Sequence, residues 1–143
     1  MKKLLSIVVL AGLSLASCKK DDDNSANKLV GTWDIVKTET YENNVLVSTD
    51  EESAGTMTFS GCGFNTFCNA DMFIAALEFT WPLKYKINES YTQLVFDVDG
   101  DLSTTEDLTT NEVTMTNDTN LSYTSTSEEN GVTTKEVTIL RKR

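Results

Sequence analysis

Phe79-Thr80-Trp81-Pro82-Leu83-Lys84-Tyr85-Lys86-Ile87 decides the fold class of this 143-residue chain. Phe79, Trp81, Leu83, Tyr85 and Ile87 are large and apolar. Thr80, Pro82, Lys84 and Lys86 between them are not. Successive side chains of a β-strand point to opposite faces, so this period of two makes one buried face and one wet face. Pro82 falls on the wet side and has no N–H, which places it at an edge or a bulge.

The same period recurs on both sides of that stretch. Met57 and Phe59 alternate with Thr56, Thr58 and Ser60. Leu94, Phe96 and Val98 alternate with Val95 and Asp97. Val113 and Met115, Leu121 and Tyr123, and Val137 and Ile139 continue it to the C-terminus, with threonine and serine between. Asn43-Asn44, Asp99-Gly100 and Asn130-Gly131 are pairs that tolerate positive φ, as hairpin turns require, and Asn117-Asp118 is a weaker fourth. Short strands joined by tight turns predict an all-β, antiparallel up-and-down meander. Such a meander buries its apolar faces by closing into a small barrel of about eight strands or by folding into a sandwich. The unbroken apolar run Met72–Leu77 predicts one helical turn within Asp71–Leu77.

The N-terminus reads differently. Lys2 and Lys3 precede a dozen mostly apolar residues, Leu4–Leu15, too few to span a bilayer comfortably. Leu15-Ala16-Ser17-Cys18 follows. This resembles the lipobox of bacterial lipoproteins, which implies a signal peptide over 1–17 and a lipidated Cys18 at the start of the mature protein. Two or more acyl chains give stable anchoring. Residues 18–27 (Cys18, then Lys-Lys-Asp-Asp-Asp-Asn-Ser-Ala-Asn) have too little apolar surface to join a core and read as a disordered acidic tether. Lysines then aspartates after the cysteine resemble the surface-export signal of Bacteroidetes-type lipoproteins. The expected address is the outer membrane, facing the cell exterior, with the periplasmic face as the alternative. A single domain is expected over 28–143.

The chain has 22 acidic and 12 basic residues, and loss of Lys2 and Lys3 takes the net charge from −10 to about −12. Phosphate neutralisation needs basic surface, so no nucleic-acid partner is expected. With Cys18 lipidated, Cys62 and Cys68 remain. Outside the cytoplasm an even pair favours a disulfide over two free thiols or a metal pair.

The domain opens Leu29-Val30-Gly31-Thr32-Trp33 and closes Leu140-Arg141-Lys142-Arg143. A Gly-x-Trp at the first strand with an arginine on the last resembles the lipocalins, and the whole arrangement is similar to lipocalin-like lipoproteins of Bacteroidetes type. The resemblance implies that Trp33, beside Gly31, plugs one barrel end beneath Arg141 or Arg143, with Arg141 the first choice. No second lipocalin motif follows, and the Gly61–Cys68 segment reads as an insertion at a barrel corner.

The chain has no histidine, which removes Ser-His-Asp and Cys-His catalysis and most zinc hydrolase designs. Its carboxylates fall in stretches that read as turns or solvated faces. Asp97-Val98-Asp99-Gly100-Asp101 superficially matches a calcium loop, but its twelfth residue is Leu108, where an EF-hand needs glutamate. No enzyme activity and no cofactor is expected. Two functional classes remain. One is a binding protein holding a small apolar ligand, lined by Met57, Phe59, Phe79, Trp81, Leu83, Tyr85, Phe96 and Met115; the same eight residues serve equally as a packed core. The other is a cell-surface accessory protein with a filled barrel that docks an unknown protein partner through its loops or through Met72–Leu77.

Overall fold

The computed structural model describes residues 26, 28–51, 55–99 and 108–143. The expected signal peptide, Cys18 and the expected tether other than Ala26 lie outside the described residues, as do Gly100 and Asp101. Nine strands follow in chain order: β1 Gly31–Glu42, β2 Val45–Asp50, β3 Gly55–Phe59, β4 Cys68–Ile74, β5 Phe79–Ile87, β6 Gln93–Asp97, β7 Leu108–Asn117, β8 Asn120–Glu129 and β9 Val132–Lys142. Every pairing is antiparallel, and β1 returns to pair with β9. The fold is therefore a closed eight-stranded barrel, β1-β3-β4-β5-β6-β7-β8-β9, with β2 as an extra strand.

β1 is shared along its length. Its first half pairs with β3 and its second half with β2, so β2 and β3 form one interrupted strand along the same edge. All six residues of β2 are exposed. Asn43 and Asn44 take φ of 48° and 66°, and Asn130 and Gly131 take 51° and 78°. These are the left-handed pairs of two-residue hairpins, as their sequences predict.

A bulge in β1 between Ile35 and Lys37 controls what faces inward. Trp33 and Ile35 point to the core. Unbroken alternation would then send Lys37, Glu39 and Tyr41 into the barrel. The inserted residue reverses the faces, so that Thr38 stands opposite Thr138 and Thr40 opposite Glu136. Lys37, Glu39 and Tyr41 instead join on the outside, with both Lys37 Nζ (2.6 Å) and the Tyr41 hydroxyl (2.8 Å) donating to the Glu39 carboxylate. Those bonds hold the Glu39 carboxyl below its ordinary range and push Lys37 and Tyr41 up.

The apolar run after Asp71 is divided. Asp71–Ile74 completes β4, and only Ala75–Leu77 turns, as a single 3₁₀ turn ended by Glu78 at φ 48°. Pairing of Ile74 with Phe79 leaves four residues to connect β4 to β5, too few for an α-helical turn. Pro82 pairs with Asp71 on β4 and lies beyond the β5–β6 ladder, which covers Lys84–Ile87.

One end of the barrel is packed solid. Leu29, Trp33, Met57, Phe59, Tyr85, Ile87, Leu94, Leu121 and Leu140 are essentially inaccessible to solvent. Phe59 meets Tyr85 edge-on at 4.9 Å, and the Tyr85 hydroxyl donates to the Ser60 carbonyl at 2.6 Å. The segment between β3 and β4 caps this end. It carries the Cys62–Cys68 disulfide, and its Asn65 N–H bonds the Ile87 carbonyl at 2.8 Å. Ala26 departs from the tether reading: it is buried, and its N–H donates to the Cys62 carbonyl at 2.8 Å. A small side chain fits beneath that loop where a larger polar one would not.

Candidate functional site: an amphipathic cavity in the open half of the barrel

The plug of the closed end is built from Trp33. Its indole N–H donates to the Leu29 carbonyl at 2.7 Å. The cation over its ring is Lys142, with Nζ 5.3 Å from the ring centre and donating to the Lys28 carbonyl at 3.0 Å. Arg141 does not play the part expected of it. Leu140 is buried, so two-residue alternation brings Lys142 to the interior face and turns Arg141 outward, where it is exposed. Arg143 is paired instead with Asp34 at 2.8 Å. Gly31, at φ 121°, gives Lys142 its path: a Cβ there would lie 3.3 Å from Lys142 Cε.

Above this packed half the barrel contains a cavity of about 340 Å³. It lies within the size range of small-molecule sites. Its two walls differ. Met72, Ile74, Trp81, Leu83, Phe96 and Val98, from β4, β5, β6 and the residue after β6, make an apolar wall. Thr109, Asn111, Tyr123, Ser125, Glu136 and Thr138, from β7, β8 and β9, make a polar one. The cavity is open to solvent at Trp81 (44% exposed); Phe79 (51%) and Leu77 (69%) are exposed as well but do not line it. The Trp81 indole N–H donates to the Val98 carbonyl at 2.9 Å, joining β5 to the chain after β6 beyond the end of their ladder.

Of the eight residues expected to line a cavity, Trp81, Leu83 and Phe96 do so. Met57, Phe59 and Tyr85 lie below it in the solid half, where they fill the space a ligand would need. Met115 packs against that same core, and Phe79 stands at the rim against Trp81, ring centres 6.4 Å apart. The reason is depth. All eight share the inward phase, but phase does not say how far along the barrel axis a residue sits. The polar wall and Met72 and Ile74 were missed. Their signal was phase rather than hydropathy: Asn111 continues Val113 and Met115, Ser125 continues Leu121 and Tyr123, and Thr138 and Glu136 continue Leu140.

The polar wall is organised. Asn111 is buried, and its amide nitrogen donates to the Leu94 carbonyl at 3.3 Å and the Thr109 carbonyl at 3.1 Å. Desolvation pushes the Tyr123 phenol up; a hydrogen bond with the Thr138 side chain opposes this and the negative charge of Glu136 adds to it. Tyr123 also meets Phe96 edge-on at 5.5 Å, where the two walls join. Glu136 is the one charged residue among the described residues of the lining. A larger hollow of about 520 Å³, bordered by residues such as Asn88, Thr92, Thr110 and Thr124, is polar throughout and offers little apolar surface from which to expel water.

No protein-family model matches the chain, and no curated protein sequence does.

Proposed function

We propose that this chain is a lipid-anchored, lipocalin-like lipoprotein of the outer membrane, facing the cell exterior, that holds a small ligand with an apolar body in the open half of its barrel. The observation that carries the ligand reading is the cavity of about 340 Å³ standing above a fully packed and plugged half. Small barrels have room for one small ligand when the interior is not filled by side chains. The apolar wall supplies the driving force, and the polar wall orients the guest. The address rests on the Leu15–Cys18 lipobox and the Lys-Lys-Asp-Asp-Asp run after it.

Native mass spectrometry of the purified protein with 1-naphthalenemethanol tests the cavity. A one-to-one adduct is expected, lost in Leu83→Trp, whose added volume occupies the floor of the cavity. No adduct on the unaltered protein overturns the reading. Replacement of Cys18 by serine is expected to move the protein from the membrane to the soluble fraction; a variant that stays membrane-bound overturns the anchor.

A further inference from the structure

We infer that the cavity selects an amphipathic amine, a molecule with an apolar body and a protonated nitrogen. The inference rests on the binding reading above and narrows it to one ligand class. Among the described residues of the lining Glu136 alone is charged, and none of them is a cation. The ion pairs among the described residues, Lys28–Asp118, Lys37–Glu39 and Arg143–Asp34, leave it out. Its side chain is exposed to solvent, within reach of an entering guest. Asn111 spends its amide donor on the Leu94 and Thr109 carbonyls, so it is not a free donor for an anionic guest.

The hydroxyls of Thr109, Tyr123, Ser125 and Thr138 can accept as well as donate, so the Glu136 carboxylate sets the preference, and an ammonium is a donor with no acceptor of its own. A bond from N⁺–H to a carboxylate is shorter and stronger than one between neutral groups. Trp81, Phe96 and Tyr123 add aromatic faces, which attract cations and repel anions. A carboxylate ligand would meet Glu136 with nothing to neutralise either charge. The chain's net charge of −10 further raises the local concentration of cations.

Isothermal titration with three naphthalene probes of similar size decides the matter: 1-naphthylmethylamine, 1-naphthalenemethanol and 1-naphthoic acid. The amine is expected to bind roughly tenfold tighter than the alcohol, and the acid weakest. Glu136→Gln is expected to bring the amine to within about twofold of the alcohol while the alcohol's affinity holds. An amine no tighter than the alcohol, a tightest acid, or an amine preference that survives Glu136→Gln overturns the inference and leaves the cavity reading standing. Binding of none of the three overturns both.

Discussion

Gly55 sits at φ 138°, and a Cβ on it would lie 1.7 Å from the Phe73 carbonyl oxygen. Backbone cannot yield as a side-chain tip can, so Gly55→Ala is expected to destabilise the protein by roughly 3 kcal/mol or more, read as a fall in the urea midpoint. An unchanged midpoint would mean that the β3–β4 pairing is not as described. The plug makes a comparison of neighbours. Lys142→Ala removes a cation–π contact and a hydrogen bond and is expected to cost about 1–2 kcal/mol, whereas Arg141→Ala is expected to stay within about 0.5. Equal effects would return Arg141 to the plug. Trp33 was legible from Gly-x-Trp, but its covering cation was not: an arginine attracts the eye, and only the burial of Leu140 fixes which residue alternates inward.

Among the elements, the loop closed by Cys62 and Cys68 does more than shorten a connection. It holds Phe64 against Tyr91, ring centres 5.3 Å apart, and receives Ala26. In the chain-entropy picture so short a loop contributes about 2 kcal/mol, so the Cys62→Ser, Cys68→Ser double variant is expected to lose about that much in equilibrium unfolding, with the barrel still folded by circular dichroism. Strands whose buried face is apolar were readable: β3, β5, β6 and the lower parts of β7, β8 and β9. β2 was not, because none of its faces is buried and alternation of burial is what the eye detects. The bulge in β1 was equally hidden. It shows as a change of phase after Ile35, where inward residues become threonines and hydropathy loses its contrast.

For the molecule as a whole, alkaline pH tests the packed half. Burial, with a smaller contribution from Tyr91, pushes the Tyr85 phenol up to about 12 against an ordinary 10.0. The native state therefore keeps its proton where the unfolded chain has released it. Its stabilisation is fully present below pH 10 and declines as pH rises from 10 toward 12, by on the order of 2 kcal/mol. Tyr123 is shifted in the same direction. Urea midpoints at pH 8, 10 and 11.5 are expected to fall more steeply for the unaltered protein than for Tyr85→Phe; parallel curves would contradict a buried phenol. The closed barrel itself was legible, because a meander with one apolar face per strand must close or stack. The division into a solid half and a hollow half was not. It depends on where along the axis each inward residue falls, and that is set by register across strands distant in sequence.

Ala26 enters the barrel at its plugged end, bound to Cys62. Only eight peptide steps separate it from Cys18, a reach of about 28 Å when fully drawn out. With the proposed lipid on Cys18, the domain is moored by its base, and the Trp81 mouth stands on the far side from the bilayer. On that proposal a guest would come from the surrounding medium, not sideways out of the lipid, and the barrel would stand as an upright receptacle on a short leash.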